Sequence, residues 1–447
     1  MAPLIAQFGD LFFILVAFVA ALSVIVAIHE YGHYIVGRWC GIKAEIFSLG
    51  FGPVLFSRVD RHGTRWQVAA LPFGGYVKFL GDGNAASGTS DGTAAQMTPE
   101  MRRQTMIYAP LWARTLTVAA GPVFNFVLSI LIFGAVMLGQ GKVEPPFVID
   151  RVQPLPVDGV ELRPGDELVA VAGQPFPDMT DPDLDFLAYT EALPPDPVLT
   201  YDVRRDGTLT QVQGPHLSPI LVSSLVPRSA AIDAGIRQGD VIVSVDGVPV
   251  TVFDELRQVV EGSDGRALAL QVWRDGETLD LTLTPRRSDE PSEEGGFETH
   301  WRIGISGGLP FELETSSRGL GEAAGDAVAQ TWAVITGSVS GLYHMVTGAI
   351  SSCNMSGPIG IAEVSGNMAS QGVDSFIWFI AVLSTAVGLL NLFPIPVLDG
   401  GHLVFYAYEA VAGRAPSERA LRVMMSLGLT LILGVMAFAL FNDIFCP

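Results

Sequence analysis

"LFFILVAFVAALSVIVAIHEYGH", residues 11–33, decides the fold. Residues 11–28 carry no charge, and at about 1.5 Å of rise per residue a helix of this length covers roughly 27 Å, most of a bilayer's hydrocarbon core. His29, Glu30 and His33 follow at once. Ionisable groups at membrane depth are costly and mark function more often than packing. The stretch predicts a membrane span that carries a polar site to its far end.

His29 and His33 stand four residues apart, so on a helix they share one face and can offer imidazole nitrogens to a single Zn²⁺. Glu30 lies between them, placed to act as the general base that takes a proton from the water such a site activates. A catalytic zinc needs a third protein ligand. "NLFPIPVLDGGH", residues 391–402, offers both Asp399 and His402, and spacing does not choose between them. Pro394 and Pro396 each lack an N–H and break regular helix, which at this depth implies a wet, protein-lined pocket. His62, His216, His300 and His344 have no ligand spacing, and Asn125 reads as a helix-packing residue.

With 49% apolar residues, the chain invites a search for further spans. Residues 115–139, 376–396 and 423–441 qualify, making four. The first ten residues contain no Lys or Arg, so the first window reads as an uncleaved anchor and not as a signal peptide. Eight basic residues, from Arg38 to Arg103, fall between the first two windows, and Arg414, Arg419 and Arg422 fall between the last two. The positive-inside rule puts these loops in the cytoplasm, and both termini and the long central region outside. Residues 143–300 hold 29 acids against 11 arginines, nearly the whole formal charge of −20. That excludes nucleic acid as a partner, since it selects basic surfaces.

The central region repeats. "LRPGDELVAVAGQPF", 162–176, aligns without gaps with "IRQGDVIVSVDGVPV", 236–250, and "RRDG", 204–207, echoes "WRDG", 273–276. Two copies of one small domain are expected, each resembling a bacterial protease-type PDZ domain, which binds extended peptides at a sheet edge or serves as a spacer. Within 41–110, "AEIFSLGFGPVLFSRV" and "TRWQVAALPFGGYVKFLG" predict a hairpin, and the Gly/Ser/Asp-rich residues 82–96 a flexible loop. Cys40, Cys353 and Cys446 form no CxxC pair; Cys353 and Cys446 can meet on one side of the membrane, but a bridge between them is not expected.

"HEYGH", "GPVFN" at 121–125, "NLFPIPVLDGG" at 391–401, "SGPIGIA" at 356–362 and "ALFND" near the end, around two PDZ-like repeats, resemble the site-2 protease family of intramembrane zinc metalloproteases. More narrowly the chain is similar to the bacterial branch that regulates sigma E. The resemblance implies zinc bound by His29, His33 and Asp399, with Glu30 as general base and Asn391, Pro394 and Pro396 as substrate-binding residues. It further implies a polytopic α-helical membrane protein of four transmembrane helices with a membrane-associated β-loop and two external α+β PDZ domains. The expected layout is 1–40 first helix, 41–110 β-loop and flexible loop, 111–141 second helix, 142–217 and 218–287 PDZ domains, and 288–375 linker and interfacial helix. Then come 376–402 third helix with Asp399, 403–422 cytoplasmic loop, and 423–447 fourth helix and external tail. Such a protein would sit in the bacterial inner membrane. It would cut the transmembrane segments of single-span proteins already trimmed outside, such as an anti-sigma factor, or signal-peptide remnants. The alternative from the residues alone is a non-enzymatic membrane scaffold with a passive metal site.

Overall fold

In a computed structural model of the chain, residues 2–81, 98–292 and 296–446 are described; the predicted flexible loop at 82–96 lies outside them. The chain divides into a helical unit, Met1–Val136 with Gly321–Thr347 and Ser352–Cys446, and a strand-rich unit, Met137–Leu320 with Gly348–Ser351.

Four helices of the first unit are long and apolar enough to cross a membrane: Leu11–Trp39, Leu111–Gln140, Val373–Asn391 and Glu418–Phe445. Large apolar side chains such as Phe12, Leu131 and Leu427 point outward, as a lipid-facing surface requires. Their inner faces carry small and hydroxyl residues instead. Ser129 donates to the carbonyl of Ala381 at 2.8 Å, and Ser384 to that of Asn125 at 2.9 Å. These bonds tie the second and third helices together where no water could satisfy the hydroxyls.

The third helix departs from the expected span of 376–402. It stops at Asn391, and a separate helix begins at Asp399 and runs to Ala412. Between them the two prolines supply no N–H, so the ladder cannot continue. Gly400 and Gly401 make the reversal possible, because a Cβ on either would fall 2.3 Å from the carbonyl oxygen of Leu392 or Ile395. The short helix is anchored by a fork from Arg114, whose guanidinium reaches Glu409 at 2.7 and 3.1 Å and lies over the Tyr406 ring.

The predicted hairpin forms from Ala44–Val59 and Arg65–Phe79, paired antiparallel. Asp60 closes its turn, accepting from the amides of His62 and Thr64 and from Trp66 Nε1 and Tyr34 Oη, at 2.8–3.1 Å. Burial would raise this carboxyl, but the four donors outweigh it and hold it at about 2. Phe47, Val77 and Phe79 pack on Tyr34 of the first helix; Phe51, Leu55 and Val59 beyond them are exposed.

Helix Leu320–Thr347, expected as interfacial, is continuous and is not among the four spans. The Asp443 carboxylate accepts from the amides of Gly357, Ile359 and Gly360, at the start of helix Pro358–Ser370. Cys353 and Cys446 are bonded to each other, against the sequence expectation; a separation of 93 residues carries no local signal of a contact made in three dimensions.

In the strand-rich unit the two aligned stretches give four-stranded sheets of the same order. Gln174–Pro175, Glu167–Val171, Val198–Arg205 and Thr208–Pro215 lie side by side in one, and Val248–Pro249, Val241–Val245, Leu268–Arg274 and Glu277–Leu283 in the other. The repeated motifs meet in space. Arg205 clamps Asp166 with two bonds of 2.7 Å, and Arg274 clamps Asp240 with two of 2.7 Å.

Residues 288–320 are not the expected linker. Arg286–Pro291 pairs with Phe297–Arg302 as a hairpin. The chain then returns, pairing Ile305–Gly307 with Val222–Leu225, Phe311–Leu313 with Ile149–Val152, and Thr315–Ser316 with Lys142–Val143. The expected boundary at 287 is thus too early. Phe311 and Ile303 are as buried as the core residues they join, and composition hides this because the intervening hairpin is charged.

Candidate metal centre

The first helix runs unbroken through the motif, so His29 and His33 project from one face. Asp399 comes to them at the start of its own helix. His29 Nε2 and His33 Nε2 are 3.2 Å apart and lie 3.2 and 3.4 Å from Asp399 Oδ2. Among the described residues these three form the one group of this kind, their ligand atoms all within 4.8 Å of one another. His402 stands outside it, edge-on to Phe405.

The site fits a cation on three counts. Asp399 Oδ2 is buried and receives no hydrogen bond, so a carboxylate faces two imidazole nitrogens with nothing between to satisfy it. His33 donates through Nδ1 to the carbonyl of Thr117 at 2.9 Å, which fixes its tautomer and leaves the Nε2 lone pair directed inward. Gly121, facing both rings from the second helix, cannot be larger: a Cβ there would fall 2.4 Å from His33 Nε2 and 2.8 Å from His29 Cε1. Two imidazoles and a carboxylate form a borderline-soft donor set suited to zinc with one position left for water or substrate.

Glu30 interacts electrostatically with His29, His33 and Asp399 and accepts the amide of Val77. The hairpin reaches it closely, a Cβ at Gly75 falling 3.1 Å from Glu30 Cγ. The general-base candidate therefore lies between the metal-binding face and the hairpin strand. Asn391 does not join the group; its Nδ2 bonds back to the carbonyl of Val387 at 3.0 Å. Pro394 and Pro396 lie in the turn before Asp399.

Two residues escaped the sequence reading. Asn125, expected only to pack, is fully buried with its amide 3.2 Å from His29 Nδ1. With Nδ2 toward the ring, Oδ1 is left buried without a partner. Turned over, the same amide would accept from His29 Nδ1–H and free Nε2 for a metal. Arg114 is the other, holding the Asp399 helix by its last turn. Asn125 is marked in the sequence only by its place in "GPVFN", which carries the family resemblance, and nothing there marks Arg114.

The signature of peptidase family M50 matches residues 17–435. A candidate zinc metalloprotease of Agrobacterium fabrum is 36% identical over 448 residues, covering 99% of each chain. The regulator of sigma-E protease RseP of Salmonella typhimurium is 36% identical over 457 residues, covering 96% of this chain and 98% of that one. A candidate zinc metalloprotease of Brucella suis is 33% identical over 439 residues, covering 96% and 95%.

Proposed function

The chain belongs to peptidase family M50 and is a zinc metalloprotease, and from that premise we propose that it is an intramembrane endopeptidase whose zinc is held by His29, His33 and Asp399. The observation that carries this reading is the convergence of three ligand atoms, one of them a buried and unsatisfied carboxylate oxygen, beside Glu30.

The roles of the chain's own groups follow. Thr117 and Asn125 orient the two imidazoles through their Nδ1 atoms, and Gly121 leaves space for the rings. Bound there, zinc supplies polarisation of the scissile carbonyl and a lowered pKa for the attacking water. Glu30 takes that water's proton and delivers it to the amide nitrogen as the C–N bond breaks. Because a helical substrate hides its carbonyls, it must unwind, and the hairpin edge near Gly75 is suited to hold the unwound stretch as an added strand. Asn391 would act there after a rotation that releases Val387, with Pro394 and Pro396 shaping the same wall.

The substrates are single-span inner-membrane proteins already shortened outside, an anti-sigma factor among them. This follows the sigma-E regulator to which the chain is similar. Both termini and the strand-rich unit lie in the periplasm, and the metal site lies toward the cytoplasmic side. The two sheets are PDZ modules that admit trimmed substrates. Removing residues 142–316 should let untrimmed substrate be cut; unchanged discrimination would rule out the filter.

The decisive experiment compares purified wild type with Glu30→Gln for zinc content and cleavage of a membrane-spanning substrate. Zinc should remain and cleavage should vanish. Equal cleavage by the two would remove the mechanism and favour a passive metal site.

A further inference from the structure

Where the hairpin turn meets the first helix, two cavities adjoin at one indole. The first, of about 320 Å³, is almost wholly apolar and is lined by Ala27, Ile28 and Tyr31 of the helix and by Phe47, Phe56 and Trp66 of the hairpin. The second, of about 620 Å³, is lined by Arg58, Asp60, Arg61, His62 and again Trp66. The acid in this basic mouth is already committed, its carboxylate oxygens taking the four donors of the hairpin turn. Neither Arg58 nor Arg61 has an ion-pair partner among the described residues.

The apolar cavity is not a continuation of the metal site. Ala27 and Tyr31 each lie two residues from a motif histidine, about 200° around the helix, so this face turns away from His29 and His33. The strand leading to the arginines is itself apolar and open, Leu55 being 71% and Phe56 65% exposed. An occupant needs an anionic head, best matched to guanidinium by phosphate oxygens, joined to an apolar tail. A peptide backbone is poorly matched to the slot, whose surface is almost wholly apolar and whose Gln67 already donates to Ser48 and Tyr76.

We propose that this double cavity binds one anionic phospholipid, its phosphate between Arg58 and Arg61 and an acyl chain in the slot beside Trp66. The lipid would wedge the hairpin against the first helix on the side opposite the metal, where it steadies the strand that approaches Glu30.

The test uses the full chain in nanodiscs of equal phosphatidylglycerol and phosphatidylcholine, with retained lipid counted by native mass spectrometry after release. Wild type should keep phosphatidylglycerol in preference. The double variant Arg58→Gln/Arg61→Gln should keep it at least roughly tenfold less well, the loss expected for two cationic contacts with an anionic lipid. Arg419→Gln/Arg422→Gln, an equal change of charge elsewhere, should match wild type. Val68→Trp, at the slot wall, should also reduce retention, and hydrogen exchange of the hairpin amides would verify that each variant folds. Equal retention of both lipids by wild type, or undiminished retention in the double variant, overturns the proposal. So does the pattern in which excess inorganic phosphate displaces the lipid and Val68→Trp binds normally, since that marks a phosphate site without an acyl seat.

Discussion

Buried carboxylates are handled in opposite ways in the two units. Asp166 and Asp240 are about as buried as an acid can be, at 1% and 0% exposure, and each is saturated by an arginine fork and a backbone amide, from Arg163 or Arg237. Asp399 lies against two imidazoles with Oδ2 receiving nothing. A carboxylate kept for structure is given all its donors, whereas one kept for a metal has a lone pair reserved. The difference separates residues that hold the fold from residues that do chemistry.

Exchanging the two roles gives the largest effect. Asp399→Asn should reduce cleavage and zinc content to background while leaving the unfolding midpoint of the metal-free protein unchanged. Asp240→Asn should keep zinc but cost about 2–3 kcal/mol locally, because Arg274 loses its charged partner. Hydrogen exchange of Val241–Val245 reads that cost, and a stable Asp240→Asn protein would break the comparison. Next comes Gly121→Ala, whose methyl would meet the His33 ring. Zinc affinity measured by competition with a chelator should fall about 100-fold, at the upper end for groups that orient ligands.

Asn125→Ala should weaken zinc about tenfold, and Asn125→Asp, which restores an acceptor at the same place, should recover part of it. Failure of the aspartate to recover anything would argue that the amide only packs. The smallest effect is with pH. Burial tends to raise the Asp166 carboxyl, but Arg205 and the Arg163 amide hold it below the usual carboxylate range. Its stabilisation is therefore complete above about pH 4, the unfolded value, and is lost as pH falls through the lower folded value. Amides of Glu167–Val171 should lose protection in that acidic window and keep it unchanged between about pH 5 and 7.

The sequence made the metal-binding face legible because helical spacing alone aligns His29 with His33. It made Asp399 a candidate because a catalytic zinc needs a third protein ligand, and the family resemblance, not spacing, chose it over His402. Its two prolines announced a break, but it could not show that the helix stops already at Asn391 and a new one starts at Asp399, since apolarity continues through "LFPIPVL". Nor could it show Asn125 at His29, a contact between residues 96 apart, because a buried asparagine in a span reads first as packing. Strand returns at 305–316 were hidden for another reason: segments of two or three residues leave too short an alternation to read.

Those returns have a consequence for how the chain can change over time. Lys142–Val143 and Thr315–Ser316 are neighbours in one ladder, so the strand-rich block begins and ends at the same place, as an inserted domain does. Its return pairings are nested, Val222–Leu225 with Ile305–Gly307 lying in sequence inside Ile149–Val152 with Phe311–Leu313, while the two four-stranded sheets are separate. Recombination at that doorway could replace the whole block and leave the ligands on either side of it in their own helices. A graft of an unrelated domain between Gly141 and Ser317 that still binds zinc would demonstrate such independence.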